Sequence, residues 1–228
     1  MSPATPPILC ARQAGREYDG LVALASLDLE VAPGELVVLV GHNGAGKSTF
    51  LGLASGLLDP TEGHVEVDGV PAGTFAARAA TSFLPDEPVL YDDLSLAEHL
   101  EYVARLHGLE DWEGRATDLV GRLGLSDRVD DVPGHFSKGM RQKASIAVAL
   151  VRPFGLLLAD EPFDGLDPQS RDALTELLLE SAAAGAAVIV STHRLDIAER
   201  AARCVALEDG RLIYDGPADR ASLTRLLP

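Results

Sequence analysis

The segment from Gly41 to Thr49 carries the residue types that bind phosphate in proteins. It fits the pattern G-x-x-x-x-G-K-[ST] and lies between an apolar run and a helical pattern. Glycines let successive backbone N–H groups point at phosphate oxygens, and a helix N-terminus adds partial positive charge. We expect Lys47 to neutralise the terminal phosphates and the Ser48 hydroxyl to bind Mg²⁺. The predicted phosphate-contacting residues are Gly41, His42, Asn43, Gly44, Ala45, Gly46, Lys47, Ser48 and Thr49.

A pair of acidic residues follows a second apolar run. Leu156 to Asp160 predicts a buried strand, and its end carries two carboxylates, those of Asp160 and Glu161. Ligands of parallel sheets bind beyond the carboxyl ends of the strands, which predicts Asp160 as a metal ligand. Neighbouring residues of a strand point in different directions, so Glu161 becomes the candidate general base or water-orienting group for attack on a γ-phosphate. Taken alone, the pair also fits an acidic turn after a core strand.

These groups sit in an alternation of predicted strands and helices. Strands are predicted over 21–31, 36–40, 64–67, 156–160, 186–191, 205–207 and 211–214. Helices are predicted from the glycine-rich loop to Leu57, over 95–107 and 113–123, from about 137, and over 168–184 and 194–202. The stretch of about 85–149 is mainly helical, whereas strands and helices alternate on either side of it. The pattern indicates an α/β core with a helical insertion.

Composition and charge exclude several classes of protein. The chain has 228 residues, a formal net charge of −16 and two cysteines, Cys10 and Cys204, which exclude a disulfide framework or a zinc site. No apolar stretch is long enough to span a bilayer, and Met1 to Pro7 lacks the features of a secretory signal. The acidic balance argues against affinity for nucleic acid or anionic lipid, because these carry charge of the same sign.

With further motifs in order, the chain resembles the nucleotide-binding domain of an ATP-binding cassette (ABC) transporter over nearly its whole length. Residues 136–143, FSKGMRQK, resemble the family signature usually written LSGGQ, and residues 163–168, FDGLDP, resemble its D-loop. Residues 191–193, STH, resemble its switch histidine after a core strand. Tyr18 stands where the family places an aromatic residue that stacks on adenine, although a packing role also fits one aromatic residue in a loop.

The resemblance implies a fold and a set of ligands. The fold is an α/β P-loop NTPase core with a mainly parallel sheet, an antiparallel β subdomain and a helical insertion. A single ABC ATPase domain would cover residues 1–228, with its core at about 1–84 and 150–228 and its helical subdomain at about 85–149. The implied ligands are ATP and Mg²⁺.

In this family two nucleotide-binding domains pair head to tail with ATP between them. Carried over, Ser137 and the Gly139 N–H would contact the γ-phosphate held by Lys47 of the second domain, which is a further copy or a paralogue. His193 would hold the γ-phosphate and the attacking water, and Asp167 would touch the opposite site. The catalytic residues implied are Glu161, His193 and Lys47.

The sequence departs from the family pattern at the Q-loop and in the signature. Asp86 stands where the family has Gln; an aspartate still offers oxygen to Mg²⁺, which makes Asp86 a candidate metal ligand beside Ser48 and Asp160. Asp86 adds negative charge and donates no hydrogen bond. In the signature, Lys138 replaces Gly and Met140 replaces Gln.

The function implied is that of an ATP-hydrolysing subunit of a transporter, most similar to short export-type members. It would work with a separate transmembrane permease subunit at the cytoplasmic face of the cell membrane, and it would not bind nucleic acid. The region from Asp86 to Leu94, with apolar residues such as Leu90 and Tyr91, is the predicted docking surface, unless those residues pack between the lobes. Two alternatives stay open: a soluble non-transport ABC ATPase, and a weakly hydrolysing partner in an asymmetric heterodimer.

Overall fold

Residues 6–226 are described from a computed structural model of the chain. Strands and helices alternate through most of them. The strands are β1 (Leu9–Tyr18), β2 (Leu21–Val31), β3 (Leu36–Val40), β4 (Glu62–Val67), β5 (Val70–Pro71), β6 (Thr81–Leu84), β7 (Leu156–Ala159), β8 (Ala187–Ser191), β9 (Arg203–Glu208) and β10 (Arg211–Pro217). The helices are α1 (Lys47–Ser55), α2 (Phe75–Ala80), α3 (Leu96–Leu106), α4 (Glu113–Arg122), α5 (Lys138–Leu150), α6 (Pro168–Ala183), α7 (Leu195–Ala198) and α8 (Arg220–Leu226). Short 3₁₀ turns cover Ser126–Arg128 and Pro133–His135.

The strands form a larger, mainly parallel sheet and a smaller antiparallel sheet. The larger sheet has the order β10-β9-β3-β8-β7-β6, and β3 pairs in parallel with β8 and β9 while β7 pairs in parallel with β8. The smaller sheet has the order β2-β1-β4-β5 and is antiparallel. Strands β7 and β8 are buried along their whole length, as expected for parallel strands covered on both faces. The arrangement agrees with the predicted α/β fold class.

The chain divides into two compact units. Among the described residues, the first comprises 6–83, 154–161 and 178–226, and the second comprises 84–153 and 162–177. In the first unit, a core of fully buried side chains joins both sheets to α1 through residues such as Leu9, Leu39 and Phe50. In the second unit, α3 and α4 both contact α5, and Ile146 of α5 is fully buried there. Within residues 6–226, no helix combines the length and apolar character needed to cross a membrane.

Several elements differ from the sequence predictions. The first helix ends at Ser55 rather than Leu57, because Gly56 adopts a left-handed φ of 71°. The predicted helix over 194–202 shrinks to α7, and β1, β5, β6, α2 and α8 were not expected. Tyr18 is the last residue of strand β1, so the expectation of an aromatic residue in a loop is wrong. The prediction for Met1 to Pro7 falls largely on residues 1–5, which lie outside the described residues.

Candidate functional site

The glycine-rich loop joins the carboxyl end of β3 to the start of α1, and two of its glycines are required by their surroundings. Gly41 has φ 150°, and a Cβ there would lie 2.3 Å from the Leu207 carbonyl oxygen. Gly46 is the N-cap of α1 with φ 101°, and a Cβ there would lie 2.9 Å from the Ala23 carbonyl oxygen. Only glycine fits such positions without displacing backbone. The loop therefore presents its backbone at a helix N-terminus, where anions bind.

Lys47 is the first residue of α1 and is 7% exposed. Its Nζ donates a hydrogen bond to the Gly41 carbonyl oxygen at 2.7 Å and lies 3.6 Å from Glu161 Oε1. A cation at a helix N-terminus opposes the helix dipole, and a buried cation needs partners. The two oxygens supply those partners and keep the ammonium group beside the loop, where a phosphate would meet it.

The acidic pair after β7 is tied to the end of β8. Asp160 is 5% exposed, and its Oδ1 accepts a hydrogen bond from the Ser191 hydroxyl at 2.6 Å. The Glu161 backbone N–H donates to the same Ser191 Oγ at 2.7 Å. Glu161 adopts a left-handed φ of 42°, a conformation that residues with side chains rarely take. Strand β7 pairs in register with β8, Ala159 opposite Val190, so the next residue of each strand brings these groups together.

His193 completes the cluster around the Glu161 carboxylate. Its Nδ1 lies 3.2 Å from Glu161 Oε2, while Lys47 approaches the other oxygen, Oε1. A carboxylate accepts hydrogen bonds, so Nδ1 is the donor in this contact. The His193 side chain is 62% exposed and the Glu161 side chain 17%, so the cluster borders solvent on the histidine side. The structure thus brings together the three predicted catalytic residues.

The other loop residues differ in exposure. Ala45 and Gly46 are buried, Thr49 is half-buried, and Asn43, Gly44 and Ser48 are exposed. His42 Nδ1 contacts the Asn43 carbonyl oxygen at 2.8 Å, and its Nε2 lies 3.4 Å from Asp209 Oδ1. The loop's accessible side therefore carries polar groups that a ligand would meet.

Tyr18 lies at the tight turn between β1 and β2. Asp19 and Gly20 form the turn with φ of 47° and 86°, as the type I′ hairpin demands. The Arg16 guanidinium carbon lies 4.5 Å from the Tyr18 ring centroid, a cation–π contact that covers one face of the ring. Tyr18 is partly exposed, so it retains a surface for a flat apolar ligand.

The signature and D-loop residues lie in the second unit and contact each other there. Ser137 is the N-cap of α5, and its Oγ accepts a hydrogen bond from the Met140 N–H at 3.3 Å. A Cβ on Gly139 would lie 2.6 Å from the Gly165 carbonyl oxygen, so the helix start and the D-loop pack backbone against backbone. Asp86, also in this unit, is exposed just beyond β6.

Asp167 of the D-loop is fixed by several contacts. Lys143 Nζ lies 2.5 Å from Asp167 Oδ2, and the Ser170 N–H and hydroxyl donate to the same carboxylate at 2.9 and 3.0 Å. The hydrogen bond from Lys143, followed by that from the Ser170 backbone, lowers the pKa of Asp167 to about 2. The signature helix and the D-loop therefore form one charged, hydrogen-bonded surface.

Sequence reasoning missed the part played by Ser191. It was noted only as part of the STH motif, yet its hydroxyl contacts both Asp160 and Glu161. The available signal was a polar residue at the end of an otherwise apolar strand pattern, which is unusual in a parallel sheet.

A phosphate-binding loop, an acidic strand end and a signature helix on this fold define a P-loop nucleotide hydrolase of the cassette type. The family model described as "ABC transporter" matches residues 24–164. The chain belongs to the ABC transporter family, and it is an ATP-binding subunit that hydrolyses ATP. The family, the fold class and the ATP hydrolase activity expected from the sequence are thereby confirmed.

Curated relatives cover the chain to different extents. It is 41% identical over 184 residues to the ABC-type transporter ATP-binding protein EcsA of Bacillus subtilis (strain 168), spanning 78% of this chain and 73% of EcsA. It is 36% identical to the lipoprotein-releasing system ATP-binding protein LolD 1 of Rhodospirillum rubrum, spanning 87% of this chain and 92% of LolD 1. The macrolide export ATP-binding/permease protein MacB of Nitrosomonas europaea is 37% identical over 94% of this chain, but the match spans only 35% of MacB.

Solved structures resemble the chain closely. An ATP-binding subunit of an ABC transporter has a TM-score of 0.89 and 36% identity, covering 96% of this chain and 94% of that one. The ATP-binding cassette MJ0796, solved as a dimer in a post-hydrolysis state with ADP and Pi, has a TM-score of 0.84 and 25% identity, covering 92% of this chain and 99% of that one.

Proposed function

We propose that the chain powers an exporter, hydrolysing ATP when two cassettes pair head to tail, with a separate permease subunit carrying the cargo. The proposal treats residues 1–228 as one ABC ATPase domain. The observation that carries the hydrolytic part is the single carboxylate of Glu161, held between Lys47 at 3.6 Å and His193 at 3.2 Å. This arrangement links the phosphate-binding loop directly to a candidate general base.

The geometry suggests how phosphate binding and base activation are coupled. The Lys47 ammonium group donates a hydrogen bond to the Gly41 carbonyl oxygen and pairs with the carboxylate of Glu161. A triphosphate bound in the loop would replace Glu161 as the ionic partner of Lys47. Glu161 Oε1 would then be available to accept a proton from the attacking water. His193, on the other carboxylate oxygen, would hold that water and the γ-phosphate in place.

The candidate metal ligands fit Mg²⁺ by their chemistry. The Ser48 hydroxyl and the Asp160 carboxylate are hard oxygen donors, which Mg²⁺ prefers. Asp86, a carboxylate of the second unit, remains a candidate ligand from the sequence alone. When bound, Mg²⁺ would neutralise charge on the triphosphate. The Ser191 hydroxyl fixes the Asp160 carboxylate through Oδ1, so this ligand is oriented before any cation arrives.

The contacts from the second cassette would come from the signature and D-loop. Ser137 and the Gly139 N–H, at the N-terminus of α5, are suited to bind the γ-phosphate held by the other copy. Asp167, fixed by Lys143, would reach the opposite site. Tyr18 would stack on adenine through the ring face that Arg16 leaves open. Support for pairing is the dimeric state of the similar cassette MJ0796.

Export is supported by the relatives' names, and the docking surface by its exposed apolar groups. MacB is named for macrolide export, and SkfE of Bacillus subtilis, 33% identical to this chain, is named for peptide export.

In the region from Asp86 to Leu94, Val89 is 83% exposed and Tyr91 packs edge to face on Tyr102 with ring centroids 5.7 Å apart. We assign this region to a permease at the cytoplasmic face of the membrane, and Tyr91→Ala should weaken co-purification with that permease.

The experiment compares the wild type with Glu161→Gln and with the control Glu101→Gln, which loses only an exposed ion pair with Arg105. Glu161→Gln should lower the ATPase rate by about 100-fold or more, since a general base contributes about 10²–10⁴-fold. It should also run as a dimer in gel filtration with ATP and Mg²⁺. The wild-type rate per molecule should rise with protein concentration. Equal rates in the wild type and Glu161→Gln would refute the role of Glu161, and a rate strictly proportional to concentration would refute pairing.

A further inference from the structure

Ser191 is the polar residue at the end of strand β8, whose sequence is AVIVS and whose residues are all buried. Its side chain is completely inaccessible, at 0% exposure. A buried hydroxyl in such a strand needs hydrogen-bond partners. Here the hydroxyl donates to Asp160 Oδ1 at 2.6 Å and its oxygen accepts from the Glu161 N–H at 2.7 Å. The hydroxyl thus bonds both residues of the acidic pair, as a donor to Asp160 and as an acceptor from Glu161.

The backbone of Glu161 needs such a restraint. Its φ of 42° is strained for a residue with a side chain, and strained backbone persists only where the surroundings hold it. The Ser191 hydroxyl holds the N–H of Glu161, while Lys47 and His193 contact the two carboxylate oxygens. Without the hydroxyl, the partly buried N–H would lack this partner, and the backbone would be released toward an ordinary φ.

We propose that Ser191 is a positioning residue for ATP hydrolysis, which fixes the backbone of Glu161 and the carboxylate of Asp160 through one hydroxyl. The inference rests on the proposed function of Glu161 and adds to it. Ser191 acts on the reaction through Glu161, whose carboxylate it aims between Lys47 and His193. Displacing a catalytic group by about 1 Å lowers rates by about 100-fold, so the loss of a single hydrogen bond that positions Glu161 should lower the rate of ATP hydrolysis strongly.

The test uses a matched pair of variants, Ser191→Thr and Ser191→Val. Both add similar bulk to the strand, and only Thr keeps the hydroxyl. Ser191→Ala removes the hydroxyl without added bulk, and Ser55→Ala serves as control because it deletes a buried hydroxyl that bonds within helix α1. Thermal melting and calorimetric binding of ADP, measured for every variant, identify those that are folded and retain the nucleotide site.

We expect kcat to fall about 10- to 100-fold in Ser191→Ala and Ser191→Val, with ADP affinity within about threefold of the wild type. Ser191→Thr should keep most of the wild-type kcat, and Ser55→Ala should keep all of it. Equal kcat for the Thr and Val variants, with Ser191→Ala at the wild-type rate, would overturn the proposal.

A double-variant comparison separates positioning from a general structural effect. If Ser191 acts mainly through Glu161, Ser191→Ala should lower the single-turnover rate of Glu161→Gln by much less than it lowers the rate of the wild type. A further drop by the full factor of the Ser191→Ala variant would contradict it. If Glu161→Gln itself hydrolyses ATP at the wild-type rate, the role of Glu161 fails; if only the Ser191 variants behave as wild type, that role stands and the Ser191 inference alone fails.

Discussion

Replacing Gly139 with alanine tests whether the signature helix needs its close approach to the D-loop. Gly139 and Gly114 are both the second residue of a helix, α5 and α4 respectively. A Cβ at Gly139 would lie 2.6 Å from the Gly165 carbonyl oxygen, below the 3.0 Å that real Cβ contacts essentially never cross. A Cβ at Gly114 would meet nothing within 4 Å. The two glycines therefore form a matched pair that differs in one contact.

The relative size of two effects, helix propensity and steric overlap, decides whether each substitution raises or lowers the stability of the protein. Alanine is favoured over glycine in a helix by up to about 1 kcal/mol, which acts in the same direction at both sites. Forcing bulk into a filled site costs about 1–3 kcal/mol. The obstacle at Gly139 is a backbone oxygen rather than a flexible side chain, so relief requires movement of the D-loop. We expect Gly139→Ala to lose about 1–2 kcal/mol of stability and Gly114→Ala to gain up to about 1 kcal/mol.

Urea unfolding compares the stability of both variants with that of the wild type, provided that the free energy of unfolding depends on urea concentration with the same slope in all three. The midpoint should fall for Gly139→Ala and rise or stay for Gly114→Ala, and the ATPase rate should fall only in the former, because its D-loop is displaced. If the two variants gain stability equally, the close approach of Gly139 to Gly165 does not constrain the protein, and the reasoning from backbone contact is wrong.

Three further predictions concern charge and burial. Asp167→Asn should lower the free energy of unfolding at pH 5 by about 1 kcal/mol or less, because this carboxylate is half-exposed. The contacts of Asp167 lower its pKa to about 2, so the stability that its pairing with Lys143 provides is present above the unfolded pKa of 3.8 and is lost as the pH falls toward 2. Unfolding experiments at pH 5 and pH 3 would detect this loss. Arg203→Met should lose about 2–3 kcal/mol in urea unfolding, since Arg203 bonds two carboxylates and a carbonyl oxygen, and Arg203→Lys should lose less. In a Cys10→Ser background, Cys204 should resist alkylation at pH 8 until the protein unfolds, because burial raises its pKa to about 11; rapid labelling of the folded protein would contradict this.

The local parts of the fold could be predicted because their signals are local. The capping box at the start of α3 is one example: Ser95 N–H donates to Glu98 Oε2 at 2.7 Å and Glu98 N–H donates to Ser95 Oγ at 3.3 Å, as the spacing of these residues indicates. Strand β1 was missed because Gln13, with φ 46°, interrupts the alternation of buried and exposed residues. A strand with an irregularity in its register carries no clean period of two.

The site could be predicted residue by residue but not contact by contact. The glycine-rich loop and the acidic pair are recognisable from residue types and their spacing. The contacts of Ser191, in contrast, join residues that are 31 positions apart for Asp160 and 30 for Glu161. Such contacts depend on which strands are neighbours in the sheet. Sequence periodicity shows that β7 and β8 are buried strands, but it does not order them within the sheet.

Sheet register is what converts these separate motifs into one catalytic arrangement. Strand β3 pairs with β8, Leu39 opposite Ser191, and β8 pairs with β7, Val190 opposite Ala159. The carboxyl ends of three neighbouring parallel strands therefore deliver the phosphate loop, the acidic pair and the Ser191–His193 segment to the same edge. A slip of β8 by one residue would turn Ser191 to the other face of the sheet and would separate it from Asp160. Because the apolar residues of β8 are buried on both faces, packing opposes that slip, and the position of Glu161 follows from the packing of the sheet beneath it.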